Sequence, residues 1–338
     1  MALSSKQINK AGEMIRNGNE SQAIELLNQW RSSHMLPLKN IRAIVDARLK
    51  KLNIECTVGQ RLKRMTSIIH KIRRFPDMSV SKMQDVGGLR IIVPRIADVD
   101  KVHEALIKKS KHQIIVPPKD YIKNPKADGY RSLHQVFKYQ SPQNDEFNNM
   151  RIEVQIRTKL QHAWATAVET LEVIDKVSYK SGDGQEAECE FFRIASALFS
   201  LKENSPVLEE CRQLTKEDLT GRLKEIDEKQ QILNRLKGLS TLKASVSLKS
   251  KSDVYYVLQL SADEQKEFSI KVIPFDDEEQ AALHYDMLEN LARGDPSKSV
   301  VLVRSKNLKE LKKAYPNYFL DTMYFVRTLE ELAQGTEK

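Results

Sequence analysis

The chain has 338 residues, 30% of them charged and 40% hydrophobic, and a net charge of +9, the balance of a globular protein with room for two domains or for one domain with extensions. Its three cysteines, Cys56, Cys189 and Cys211, are odd in number and widely spaced, which excludes a disulfide framework or a cysteine metal site and implies a reducing compartment. No apolar run approaches the ~20 residues of a membrane span and the N-terminus has no apolar signal core, so a cytoplasmic protein without membrane attachment is expected, its excess of cations pointing to a nucleotide, RNA or other anionic partner.

Residues 4–53 read as helices. Ile8, Ala11, Met14 and Ile15 recur at helical spacing, as do Ala23, Ile24, Leu26, Leu27 and Trp30, and Pro37 precedes a third helix over 38–53. Residues 57–75 read as one very basic helix. In it Lys63, Ser67 and Lys71 fall at i, i+4 and i+8 and share a face suited to a polyphosphate, although any solvated helix can present such a face. Gly88 to Val93 is a buried strand preceded by Asp85; a carboxylate at a strand edge beside glycines can hold Mg²⁺ and let a phosphate approach closely.

A helix is expected over 97–110 and a strand over 113–116, ended by Pro117-Pro118. The loop from Lys119 to His134 then gathers four cations, Gly129, Tyr121, Tyr130 and the histidine. Cations for phosphates, an aromatic face for a base and a glycine for a tight turn make it a nucleotide cradle. Strands follow over 132–139 and 150–157, across a turn at 141–145. In the second, Met150, Ile152, Val154 and Ile156 face one way and Arg151, Glu153, Gln155 and Arg157 the other, so one row presents a carboxylate, an amide and guanidinium groups. A helix over 158–175 carries His162, read as structural, and Trp164.

Residues 178–185 read as a flexible loop, 186–203 and 207–237 as long helices, and 240–252 as a Ser/Lys-rich linker. Strands over 254–260 and 268–273 about an Asp263-Glu264 turn, a helix over 277–293, a strand over 299–303 and helices over 307–313 and 328–333 give a ββαβα order. The expected organisation is a helical N-terminal region (1–54), a central α/β domain (55–180), a long helical segment (181–240) and a small C-terminal α+β module (253–338), with the central mixed sheet flanked by helices. No Walker-type loop, zinc-ligand spacing or Gly-x-Ser-x-Gly elbow occurs in the sequence.

Four segments occur in a telling order: Arg61-x-Lys63…Ser67-Ile68…Lys71, Asp85-x-x-Gly88-x-Arg90, the Lys119–His134 loop, and Glu153-x-Gln155-Ile156-Arg157-Thr158. Together they resemble the synthetase domain of RelA/SpoT-type alarmone synthetases over about residues 55–180. The resemblance implies a nucleotidyltransferase-like fold and transfer of the β,γ-pyrophosphate of ATP to the 3′-OH of GDP or GTP. It implies that Arg61 and Arg90 sandwich adenine, that Lys63, Ser67 and Lys71 hold the ATP phosphates, and that Asp85 and Glu153 hold Mg²⁺, with Glu153 also the base for the 3′-OH. Tyr130 would stack on the acceptor base, Lys119, Lys126, Asp128 and His134 would complete the acceptor site, and Gln155 and Arg157 would support it. A homo-oligomer is also implied, with the C-terminal extension placed to block or replace its interface.

The sequence departs from the family pattern in two ways. Asp128 replaces the usual asparagine before Gly129, which leaves the acceptor open among GDP, GTP, an adenine nucleotide and tRNA. The hydrolase domain of the long bifunctional relatives has no counterpart, and no His-Asp dipeptide occurs, so synthesis without hydrolysis is expected. Two further readings remain. One is a toxin-type relative that pyrophosphorylates the tRNA 3′ end, its C-terminal module inhibitory or sensing. The other is a non-catalytic nucleotide sensor, against which the retained Asp85, Glu153 and Tyr130 argue.

Overall fold

The alternating stretch at residues 151–158 becomes the strand about which the molecule is organised. The computed structural model describes residues 3–108, 110–143, 145–175, 186–237, 243–246, 254–262, 268–292, 295, 298–305, 307–319 and 322–334. Among them nine strands form one mixed sheet: β1 (Thr57–Leu62), β2 (Gly87–Val93), β3 (Gln113–Asp120), β4 (Leu133–Lys138), β5 (Arg151–Thr158), β6 (Lys243–Val246), β7 (Val254–Ala262), β8 (Phe268–Phe275) and β9 (Lys298–Ser305). Their order is β3-β4-β5-β2-β1-β9-β7-β8-β6. The β2/β5 and β6/β8 pairs are parallel and the other pairs antiparallel.

The helices are α1 (Ser5–Arg16), α2 (Glu20–Ser33), α3 (Met35–Leu52), α4 (Met65–Arg74), α5 (Ile96–Ile107), α6 (Lys159–Asp175), α7 (Glu186–Lys202), α8 (Lys216–Gln230), α9 (Ile232–Lys237), α10 (Glu278–Leu291), α11 (Leu308–Ala314) and α12 (Met323–Gln334).

Period-two patterning decides which face of the sheet is dry. Ile152, Val154 and Ile156 are fully buried, with Leu89 and Ile91 of β2, against Leu38, Ile41, Val45 and Leu49 of α3 and Val99, Val102 and Leu106 of α5. Each such side chain contributes about 1.5–3 kcal/mol on burial. A one-residue slip of β5 would put all three on the opposite face, so the register that turns Glu153, Gln155 and Arg157 the other way is strongly specified. Helix α4 packs Met65, Ile68, Ile69 and Ile72 against α1 and α2 and leaves Ser67 and Lys71 half-exposed. A further core joins α6, α7, α8, α9 and α12 around Phe191, Phe199 and Phe325.

Several local expectations change. The helix expected over 57–75 is strand β1 followed by the shorter α4. Arg61 therefore lies on a strand and Lys63 in the connection, not on one helical face with Ser67 and Lys71. Gly59 costs a helix about 1 kcal/mol relative to alanine, and the six-residue ladder from Thr57 to Leu62 along β2 outweighs the basic composition. Pro117 and Pro118 do not end β3, whose pairing shifts register between Ile115 and Lys119. The strand is at the sheet edge, where a missing N–H needs no partner.

The expected helix over 207–237 is broken into a 3-10 turn (Glu209–Cys211), α8 and α9. Thr215 caps α8 in a capping box with Asp218, and Gln231 adopts a left-handed conformation between α8 and α9. Part of the expected linker, Lys243–Val246, is β6, paired with β8. The loop expected at 178–185 and the turn at Asp263-Glu264 lie outside the described residues. The C-terminal strands continue the central sheet, since β9 pairs with β1 through Gln60/Arg304 and Arg61/Val303. Among the described residues no helix is long and apolar enough to cross a membrane.

Candidate active site

Sheet register assembles the cleft. Gly59 of β1, Arg90 of β2, Gln155 of β5 and His134 of β4 lie in one cross-strand row, and Arg61, Gly88 and Glu153 in the next. These are the residues opposite the apolar face, so the alternation that builds the core also aims them together. Gly88 stands between Arg61 and Glu153 with no side chain, which leaves the floor of the cleft open there. Arg61, Lys63, Asp85, Arg90, Glu153 and Gln155 line this cleft.

Asp85 is held by two ammonium groups, Lys63 Nζ at 2.9 Å from Oδ2 and Lys71 Nζ at 2.9 Å from Oδ1. Burial alone would push its carboxyl up, but the two lysines outweigh it and hold it well below the usual carboxylate range. Burial pushes the Lys63 ammonium down, and Asp85 offsets part of that. Lys71 thus reaches the cleft from α4, with Ser67 one turn earlier on the same helix.

Glu153, only 6% exposed, accepts from Gln155 Nε2 at 2.7 Å and from His134 Nδ1 at 3.0 Å. His134 Nε2 lies 2.9 Å from the Tyr130 hydroxyl. Burial would push the imidazole down, but the oxygens of Tyr130 and Glu153 outweigh it and raise it to about 9. The imidazolium thereby holds the Glu153 carboxyl below its ordinary value, against burial. A phenol, an imidazolium and a carboxylate therefore form one hydrogen-bonded chain, buried at His134 and Glu153 and half-buried at Tyr130.

The Lys119–His134 loop wraps this chain. Lys126 Nζ sits 4.6 Å from the Tyr121 ring and 5.0 Å from the Tyr130 ring, and Tyr121 meets His134 edge-on at 5.2 Å. Gly129 has φ +93°, and a Cβ there would stand 3.0 Å from the Trp164 ring and 3.1 Å from Ser196 Cβ. Ser196 Oγ donates to its carbonyl at 2.6 Å, so helices α6 and α7 fix the turn. Asp128 Oδ1 accepts the Tyr130 N–H at 2.8 Å, a turn contact whose acceptor oxygen an asparagine would supply equally well.

Not every expected residue meets in the cleft. Lys119 is drawn to Gln84 Oε1 at 3.0 Å on the sheet edge. Arg157 is buried behind the cleft, donating Nη2–H to His162 Nδ1, and burial together with the charge of Arg90 pushes its guanidinium down. His162, held neutral by burial and by Arg157, turns its other nitrogen to the Lys313 carbonyl at 3.1 Å.

Arg90 donates to the Ala314 carbonyl at 3.3 Å, and its guanidinium carbon is 5.9 Å from the centre of the Tyr315 ring. Tyr315 also lines the cleft, and a Cβ on Gly59 would stand 3.0 Å from its hydroxyl. With this ring in place the free volume is about 40 Å³, against about 300 Å³ or more for typical small-molecule sites. Sequence reading had no local signal for Tyr315, which reaches β1 and β2 from more than 200 positions away. Tyr121 was visible in the loop and became informative only when it met His134.

Among the described residues no cluster of three or more His, Cys, Asp or Glu could cage a metal. Asp85 and Glu153, both held ionised, share one cleft. That set fits a hard dication which keeps some waters and takes substrate phosphate oxygens, because such an ion needs only one or two protein carboxylates.

The cleft residues coincide with a recognised sequence region. Residues 60–183 match the family described as the region found in RelA/SpoT proteins. The chain carries a RelA/SpoT region. Among curated proteins, the chain is 35% identical over 136 residues to the GTP pyrophosphokinase YjbM of Bacillus subtilis, covering 40% of this chain and 64% of that protein. It is 34% identical over 111 residues to the GTP pyrophosphokinase YwaC of the same organism, covering 31% and 52%. The chain therefore spans roughly half to two thirds of the length of these relatives. Among solved structures, small alarmone synthetase 1 of Bacillus subtilis bound to its product pppGpp aligns with a TM-score of 0.40 at 29% identity, over 54% of this chain and 88% of that one. The RelA/SpoT region holds every residue of the cleft except Gly59 and Tyr315.

Proposed function

We propose that the chain is an ATP-dependent nucleotide pyrophosphokinase, acting in the cytoplasm, that transfers the β,γ-pyrophosphate of ATP to the 3′-OH of GDP or GTP. The observation that carries this reading is the convergence, within a RelA/SpoT region, of two ionised carboxylates and four cations on one cleft beside an aromatic loop. The relatives named GTP pyrophosphokinase support it.

In this reading Glu153 takes the proton of the 3′-OH as the 3′-oxygen bonds to the β-phosphorus. The bond from that phosphorus to the α,β-bridging oxygen breaks, and AMP leaves with the electron pair, giving ppGpp from GDP or pppGpp from GTP. Lys63 and Lys71 offset the charge carried by the transferred group, which is the main catalytic need of phosphoryl-type transfer. Mg²⁺ held by Asp85 and Glu153 would supply further charge neutralisation on the phosphate oxygens. Arg61 and Arg90 flank the adenine position, where each guanidinium–ring contact contributes about 1 kcal/mol or more when desolvated. Tyr130 and Lys126 receive the acceptor, with Asp128 shaping the turn beneath them. No hydrolase activity is part of this reading.

The test is product analysis: purified protein with ATP, Mg²⁺ and GDP or GTP should release AMP and form a guanosine nucleotide heavier by one pyrophosphate. Absence of AMP in both reactions would contradict the proposal.

A second reading is favoured by two observations. A groove of about 630 Å³ runs from Lys71 past Arg74, Phe75 and Lys82 to Lys119, a basic path with an exposed ring suited to single-stranded RNA. Tyr315 stands between Arg90 and β1, where the donor base is proposed to go. Both fit an enzyme that pyrophosphorylates the tRNA 3′ end and whose C-terminal module closes the donor site. A homo-oligomer is compatible with either reading.

A further inference from the structure

Helix α4 begins without a cap of its own. Helices α1, α8, α10 and α11 each open on a Ser, Thr, Asp or Asn whose side chain accepts an N–H of the first turn: Ser4, Thr215, Asp277 and Asn307. At the start of α4 stands Arg64, which makes no such bond. The Met65 N–H instead donates to Glu289 Oε1 at 2.8 Å, a carboxylate on α10, 224 positions away. An anion there also complements the positive end of the helix.

Glu289 is itself held firmly. Its Oε2 lies 2.6 Å from Arg31 Nη1, and Arg31 Nη2 lies 2.9 Å from Asp286 Oδ1. Arg31 also donates to the Tyr285 hydroxyl at 2.9 Å and stacks 4.9 Å from that ring. The Arg31 side chain is 1% exposed, so this cluster cannot relax cheaply into water. A second tie runs beside it, from Arg64 Nη1 to Ser299 Oγ at 2.6 Å. At the other end of α4, Lys71 reaches Asp85 at 2.9 Å.

We propose that Glu289 is a positioning residue of the nucleotide site: it caps α4 from the C-terminal part of the chain and so sets where Ser67 and Lys71 stand relative to Asp85. This role rests on the reading of Lys71 and Ser67 as donor-phosphate ligands. It makes the C-terminal strands and helices a component of the donor site as well as a neighbour of it.

The test combines amide hydrogen exchange with calorimetric binding of α,β-methylene-ATP in the presence of Mg²⁺. In the unaltered protein the Met65 amide should exchange at least about tenfold more slowly than first-turn amides of α2, whose N-cap Asn19 makes no side-chain capping bond to them. Glu289→Ala should abolish that difference and weaken analogue binding about fivefold, the scale of one lost cap. Asp286→Asn trims the same ion cluster but leaves the cap; it should lower the melting temperature and change neither reading. Rapid Met65 exchange in the unaltered protein would overturn the proposal even if Glu289→Ala does not fold. So would equal loss of binding in Glu289→Ala and Asp286→Asn. An unaltered protein that protects Met65 but binds no analogue would remove the donor site, and this role with it, while leaving the cap in place, so the two failures are distinguishable.

Discussion

The two halves of the sheet contribute to one cleft in opposite ways. The β4-β5-β2-β1 half supplies the two polar rows themselves, Arg90, Gln155 and His134 in one and Arg61 and Glu153 in the next, from residues whose neighbours in sequence are also their neighbours in function. The β9-β7-β8 half adds contacts from outside those rows, with Tyr315 against Arg90 and Glu289 on the first turn of α4. Chemistry concentrated in short motifs is thus separated from control of its geometry, which is spread over residues far away in the chain. Because β9 continues the sheet at β1, the two halves cannot shift without disturbing the ladder that carries Arg61.

The comparison breaks most visibly at Glu153. If the first half holds the base, Glu153→Gln should lower the transfer rate about a thousandfold, within the range expected for a general base, and leave α,β-methylene-ATP affinity nearly unchanged. An active variant would move the base elsewhere. Tyr130→Ala should raise the acceptor KM about tenfold, the loss of one base–aromatic stack, with donor affinity unchanged; equal loss of both would place Tyr130 outside the acceptor site. In the second half, Tyr315→Ala should tighten donor-analogue binding about fivefold if the ring must leave before the donor enters. Weaker binding would make Tyr315 a wall of the site and the C-terminal part an aid to it.

The smallest effect concerns pH. His134 is raised to about 9 from an ordinary value of 6.5. Its own contribution to stability is therefore complete below about pH 6.5 and is lost as pH rises through about 9. Burial would raise the Tyr130 phenol, but His134 outweighs it and lowers the phenol to about 8, and that group acts with the opposite sign above about pH 8. The net loss therefore falls between about pH 6.5 and 8. The melting temperature of the unaltered protein should fall more across that window than that of His134→Gln. Equal falls would show that the phenol–imidazolium–carboxylate chain adds nothing to the fold.

The same division explains what could be read before the structure. The β5 alternation was legible because Ile152, Val154 and Ile156 answer to one dry face, and the loop was legible because Lys126, Gly129, Tyr130 and His134 crowd into nine positions. The strand at Thr57–Leu62 was not, because the six cations between Arg61 and Arg74 suggest a helix face and only pairing with β2 shows otherwise. The strand over 113–116 was legible, but its continuation to Asp120 hid behind two prolines that an edge position tolerates. Tyr315 and Glu289 carried no signal, since a side chain that acts across the fold leaves no spacing to count.

The central claim is the identity of the acceptor, and one competition decides it. The purified chain, given γ-labelled ATP, Mg²⁺, and GDP, GTP and tRNA together, should place the label in ppGpp and pppGpp. Label in the tRNA and none in the guanosine nucleotides would contradict the account.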